Sequence, residues 1–175
     1  MHKNSLIWVL GILLSCGASN AGSPYRILFG ANRQGEIDPC GCQVNQIGGL
    51  DRFYNLVQKE QKKPGPTFIV DSGDAFFATK QLTESRAEEE RLKAGVIAES
   101  YAKIGVDVFL PGERDFADQL PAFTAFSLQS KAKVIAANIV DEKGAEVFAG
   151  HAIVEKKGVK PAAPKLDIAG WNAAG

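Results

Sequence analysis

The residue types best suited to chemistry fall in four short stretches: Asn32-Arg33-Gln34, Cys40-Gly41-Cys42, Asp71-Ser72-Gly73-Asp74 and Glu113-Arg114-Asp115. Asn32, Gln34, Asp74 and Glu113 offer oxygen donors, which together could form a weak site for a hard cation such as Ca²⁺ or Mg²⁺. Arg33 and Arg114 offer guanidinium groups instead, whose planar fork suits a phosphate or another anion. The bland alternative is that these polar residues only cap strand ends and helix N-termini, with Asp74 and Asp115 as N-caps. Cys40 and Cys42 carry a different chemistry. A disulfide across one residue closes a very small ring, so strain makes it an oxidant or a switch, and Gly41 lets the backbone make that turn. The pair could otherwise bind a soft metal as two ligands of a larger set, or staple the loop without redox traffic.

Alternating short apolar runs and helical stripes predict the elements that position these stretches. Arg26–Gly30 reads as a buried strand, followed by a long loop over residues 31–47 that carries Asn32, Gln34 and the cysteines. Leu50, Phe53, Tyr54 and Val57 fall at helical spacing, and Lys62-Lys63-Pro64-Gly65 ends that helix. Thr67–Val70 is a second strand running straight into Asp71-Ser72-Gly73-Asp74, so carboxylates sit at its carboxyl end. Between Thr83 and Ile104, Leu92, Val96, Ile97, Tyr101 and Ile104 form a helical stripe, with Glu88-Glu89-Glu90 as a solvated face complementing the helix dipole. Val106–Leu110 and Lys133–Ala137 are further strands, separated by a short helix bearing Phe116, Leu120, Phe123 and Phe126, and Val147–Val154 is another. The β-α-β-α-β-α-β order predicts an α/β fold with a largely parallel sheet whose ligands gather at the carboxyl ends of the strands. Phe76 and Phe77, just after Asp74, could line a substrate pocket, but the core is the expected place for them. His151 lies in an apolar stretch and reads as structural.

The first residues read as a targeting segment. Lys3 precedes an almost unbroken apolar run, Leu6–Leu14, too short to span a hydrocarbon core of about 30 Å as a helix. Ser19-Asn20-Ala21 offers the small residues a signal peptidase reads, so residues 1–21 are expected to be a secretory signal peptide cleaved after Ala21. Leu13-Leu14-Ser15-Cys16 loosely resembles a lipoprotein box, so a membrane attachment would run through lipidated Cys16. The expected location is therefore periplasmic or secreted, an oxidising setting for Cys40 and Cys42. Cleavage would leave His151 as the only histidine.

The order and spacing of these motifs carry a resemblance. Asn32-Arg33-Gln34-Gly35, Gly48-Gly49-Leu50, Gly73-Asp74, Gly112-Glu113-Arg114-Asp115 and Ala136-Ala137-Asn138 together resemble the N-terminal half of the 5'-nucleotidase and UDP-sugar hydrolase family of calcineurin-like metallophosphatases. The likeness runs over residues 26–160 and is greatest to exported nucleotidase-like proteins whose first loop carries Pro-Cys-Gly-Cys, here Pro39-Cys40-Gly41-Cys42. It implies a sandwich of mixed β-sheets flanked by helices, of which this chain holds an incomplete part. It also implies metal-dependent hydrolysis of a nucleotide or another phosphoester, with Mn, Zn, Mg or Ca as candidate ions. Asp74 matches the carboxylate that bridges the two ions in that family. Asn32 stands at the family's Asp, Gln34 at its first His, Glu113 at its Asn and Arg114 at the His that makes Arg114 the candidate catalytic residue. Asn138 matches a strand-end position that can bind ligand, and Arg33 is a candidate phosphate contact. With one histidine far along the sequence, an intact family metal centre is excluded.

In that family Gly158-Val159-Lys160 would lead into another buried strand. Here Pro161-Ala162-Ala163-Pro164 and Trp171–Gly175 predict no element, so residues 22–160 are expected to form the domain and 161–175 an atypical tail left by a reading-frame interruption near Pro161. The chain carries 20 Lys plus Arg against 20 Asp plus Glu, and this zero balance leaves no basic field for nucleic acid or an anionic bilayer. Nothing specifies an oligomer. Beside the hydrolase expectation stand two rivals: a thiol redox protein using Cys40 and Cys42, and a non-catalytic binding domain.

Overall fold

The computed structural model describes residues 25–41, 46–156 and 165–169. The expected signal peptide, Cys16 and Cys42 lie outside the described residues. Strand β1 (Arg26–Gly30) is followed by the paired β2 (Pro39–Cys40) and β3 (Ile47–Gly48), helix α1 (Leu50–Gln61), β4 (Thr67–Asp71), and helix α2 (Ala87–Ile104). Then come β5 (Val108–Phe109), a 3-10 turn (Glu113–Phe116), α3 (Gln119–Ser130), β6 (Lys133–Val134), β7 (His151–Glu155) and β8 (Lys165–Ala169).

The strands β1, β4, β5 and β6 make one sheet in that order, wholly parallel as the alternating pattern predicts. The crossovers place all three helices on one face, because parallel strands joined by right-handed connections of the same sense return on the same side. There Leu50 and Val57 of α1, Ile97, Tyr101 and Ile104 of α2 and Phe123 of α3 close over Ile69 and Phe109 of the sheet. Phe76 and Phe77, fully buried, fill the layer between, with Phe76 ringed by Tyr101, Phe109, Phe123 and Phe126. The other face is smaller: Phe68, Val70, Val108 and Ile135 pack against Val154 of β7. On this face Ile27 and Phe29 of the edge strand β1 remain exposed, as does Tyr25 before it.

Several elements differ from the sequence expectation. The loop 31–47 contains the antiparallel β2–β3 pair, Pro39 against Gly48 and Cys40 against Ile47. The fourth parallel strand stops at Val134, after which Ile135 makes an isolated parallel bridge to Ala149. The strand expected over Val147–Val154 begins at His151 and ends at Glu155, with His151 exposed. It pairs antiparallel with β8, an element the tail was not expected to hold. Helix α2 starts at Ala87, and Leu92 and Val96 of the expected stripe are exposed while Ala94 and Ala98 are buried. Glu90 is buried too, and its carboxylate is paired with Arg86 at 2.7 Å. The solvated face is thus Glu88 and Glu89 alone.

Candidate functional site

The carboxyl ends of β1 and β4 continue past the strands as two loops zipped together by backbone. Asn32 N–H donates to Gly73 O (2.9 Å), Gln34 N–H to Asp74 O (2.8 Å) and Gly35 N–H to Ala75 O (3.0 Å). Asn32, Gln34 and Asp74 all have positive φ, at 53°, 56° and 52°. Side chains other than glycine rarely adopt that region, and strain of this kind collects at functional sites, held by surrounding structure. These are also the positions that the sequence assigns to ligand oxygens. Gly73, at φ 84°, turns the chain out of β4, and a Cβ there would strike the Leu110 carbonyl oxygen and the Gly112 nitrogen.

Asp115 ties a third loop into this arrangement. Its Oδ1 accepts from Ala75 N (2.8 Å) and Phe76 N (3.0 Å), and its Oδ2 from Asp74 N (2.8 Å) and Gly112 N (2.8 Å). The carboxylate is fully buried. Burial pushes its pKa up to about 6, against the downward pull of the four N–H groups. Asp74 in turn accepts the Arg114 N–H at Oδ1 (2.9 Å), capping the first turn after Gly112 from the neighbouring loop, and the Arg114 guanidinium lies 3.9 Å from Oδ2. Asp115 thus caps the turn that contains it. Asp74, expected as an N-cap, precedes no helix and caps that same turn instead.

These loops form one end of a cleft of about 730 Å³. Asn32, Ser72, Asp74, Glu113, Asp141 and Glu142 supply its polar lining, and Phe116, Leu120, Ile139, Val140 and Val147 its apolar lining. Of the sequence-predicted residues the structure therefore brings together Asn32, Asp74 and Glu113, with Arg114 behind Asp74. Glu113 is paired with Lys80 at 2.5 Å. Gln34 contributes its backbone to the zipper but does not line the cleft. Asn138 lies in the turn after β6 and does not line it either.

Arg33 points to the other side of β1. Its guanidinium stacks over the rings of Phe53 and Tyr101, at 5.4 and 5.7 Å from their centroids, and its Nε donates to the Tyr101 hydroxyl at 3.2 Å. That hydroxyl donates to Asp71 Oδ2 at 2.6 Å, and Asp71 Oδ1 accepts the Gly73 N–H. Burial raises the Asp71 pKa above the ordinary carboxylate value, partly offset by the Tyr101 hydrogen bond. Burial likewise drives the Tyr101 hydroxyl pKa far upward. Cys40 is free and exposed in β2.

The donor set does not fit the two-ion centre that the resemblance implies. Among the described residues no three of His, Cys, Asp and Glu come together. Asp74 already has one oxygen on a backbone N–H and a guanidinium facing the other. For a single hard cation, oxygens of Asn32, Ser72, Asp74 and Glu113 share the cleft. The sequence missed the Asp115 clamp as a link between loops, the Asp71–Tyr101–Arg33 chain and the apolar lining of the cleft. The last had a signal in the helix stripe containing Phe116 and Leu120.

A parallel sheet with helices on one face, β7 of an antiparallel strand pair on the other and a cleft at the strand ends is a fragment of the metallophosphatase-type fold. No protein-family model and no curated protein matches the sequence. Solved structures do match: a calcineurin-like phosphoesterase from Bacillus subtilis, YfkN, superposes with a TM-score of 0.62 at 18% identity, over 83% of this chain and 47% of that one. A 5'-nucleotidase precursor from Thermus thermophilus gives 0.61 at 17% identity, over 83% of this chain and 28% of its own. The NAD nucleotidase of Haemophilus influenzae gives 0.58 at 18%, over 85% and 26%. The chain spans less than half the length of each of these proteins, and the likeness is one of fold.

Proposed function

We propose that this chain is an exported protein of the nucleotidase-like phosphoesterase fold whose strand-end cleft binds a nucleotide or a related phosphoester without hydrolysing it at a two-ion centre. The observation that carries this reading is the mixed lining of the cleft, polar at Asn32, Ser72, Asp74 and Glu113 and apolar at Phe116, Leu120, Ile139, Val140 and Val147. A nucleotide is mixed in the same way, with a flat, weakly polar base on a polar sugar phosphate. The polar lining is not a bare acidic patch, because Arg114 faces Asp74 and Lys80 pairs with Glu113. Export rests on the apolar run Leu6–Leu14 and the small residues ending at Ala21.

Calorimetry with a nucleoside monophosphate, with Mn²⁺, Zn²⁺, Mg²⁺ or Ca²⁺ added in turn, tests this together with an assay for released phosphate. Saturable binding is expected. Leu120→Asp, which places a charge on an already exposed part of the apolar lining, should weaken it about tenfold or more. Sustained phosphate release that is lost in Asp74→Asn would replace the binding reading with the hydrolase one. No saturable binding under any condition would remove the cleft as the site.

The exposed Cys40 thiol favours a second reading, a thiol redox protein acting through Cys40 and Cys42. Under it, mass spectrometry of the oxidised protein finds a Cys40–Cys42 bond that re-forms after reduction. Two persistent free thiols would dismiss it.

A further inference from the structure

We infer that the cavity between the end of β1, the β2–β3 hairpin and α1 is a second ligand site, built for a monocarboxylate carried on an apolar body. This cavity, of about 610 Å³, lies across Asn32 from the strand-end cleft, and Asn32 lines both. Its anchor is Arg33. The guanidinium is fixed by the rings of Phe53 and Tyr101 and by the bond from its Nε to the Tyr101 hydroxyl, which is itself held by the buried Asp71. The two terminal nitrogens of Arg33 have no partner among the described residues, and Arg33 lines the cavity. A guanidinium held on its Nε side, with terminal nitrogens that meet no partner among the described residues, is a fork already set for an incoming oxyanion. Little side-chain entropy remains to be lost when that oxyanion arrives.

The rest of the lining selects among oxyanions. Phe29, Ile47 and Leu56 expose apolar surface to it, which an inorganic ion would leave uncovered and an apolar body would bury. Arg52 also lines the cavity, with its guanidinium donating to the Gln46 carbonyl. Glu36 and Asp38 bring two negative charges against the two arginines. Two arginines against two carboxylates leave no surplus positive charge, so a ligand with one negative charge at the outer end of Arg33 meets less repulsion than one with two, and a carboxylate is favoured over a phosphate monoester dianion.

Calorimetry on the full chain with phenylacetate, phenylacetamide and phenyl phosphate tests this without any substitution. The acid should bind saturably, and the isosteric amide about tenfold or more weakly, because it lacks the charge that Arg33 reads. Phenyl phosphate should also bind more weakly than the acid. Arg33→Gln should cost a similar factor, and Leu56→Glu, on the exposed face of α1, should do so without touching the buried chain behind Arg33. A nucleoside monophosphate should leave phenylacetate binding unchanged, since the two cavities are distinct. Equal binding of acid and amide, absence of saturable acid binding, tighter binding of phenyl phosphate, or displacement by the nucleotide would each overturn the inference.

Discussion

Asp115 accepts four backbone N–H groups from two loops while itself fully buried, so both carboxylate oxygens are committed. Asp115→Asn replaces one acceptor oxygen with an NH₂ that must face a pair of N–H donors. Each buried donor left without an acceptor costs roughly 1–3 kcal/mol, so the variant should lose about 2–5 kcal/mol in urea unfolding. A midpoint unchanged from wild type would refute the clamp. Tyr101→Phe tests the other buried carboxylate: it removes the donor to Asp71 Oδ2 and should cost roughly 1–3 kcal/mol by the same argument. At this scale the sequence was partly legible. Gly73-Asp74 stood out because it follows directly on an apolar strand run and matches a motif of the resemblance, although the sequence left open whether Asp74 serves a ligand or a cap. The Arg33 side chain did not stand out, since its direction depends on Phe53 and Tyr101, which reach it from separate helices.

The elements that hold these residues depend on close approaches between loops rather than on the loops' own propensities. Gly73 sits where the loop after β4 touches the backbone after β5, and a Cβ would overlap backbone atoms of Leu110 and Gly112 that cannot swing aside. Its positive φ adds a second penalty for any other residue. Gly73→Ala should therefore destabilise by about 3 kcal/mol or more and abolish ligand binding in the strand-end cleft, as read by thermal unfolding and calorimetry. A variant that melts and binds like wild type would show that the loops separate freely. The strands β1 and β4 and helix α1 were legible because continuous apolar runs and i, i+3, i+4 spacing survive in any context, whereas the strands expected over Val106–Leu110 and Lys133–Ala137 are only the two-residue β5 and β6. The β2–β3 pair was not, since two-residue strands carry no period. In α2 the stripe misled for a specific reason. Buried Ala94 and Ala98 permit the close packing of α2 against its neighbours, while the larger Leu92 and Val96 point outward.

For the molecule as a whole, the parallel sense of the sheet followed from the alternation of elements, whereas the strand order and the extent of the second face did not. Among the described residues Val154 and Ala152 pack on that face, and Ile27, Phe29 and Tyr25 are exposed. One consequence at this scale concerns pH. Asp115 is raised from 3.8 to about 6 in the folded chain, and Asp71 is raised as well. Between the ordinary carboxylate value and about 6, the folded state therefore holds protons that the unfolded state has released. Stability should accordingly fall as pH rises through that window, because the folded form binds more protons there. At about 1.4 kcal/mol per pH unit, the Asp115 contribution amounts to about 3 kcal/mol at most. The exposed pairs act elsewhere. The pKa of Asp118 is lowered by its bond from Arg91, and that of Glu60 by its bond from Lys63. What such groups contribute is present above their ordinary values and is lost only as pH falls below them. Urea unfolding at a series of pH values should thus show stability declining from about pH 4 to 6 and levelling above, with the decline reduced in Asp115→Asn. A wild-type curve that rises across this window would mean that the four N–H donors outweigh burial and hold the Asp115 carboxylate ionised throughout.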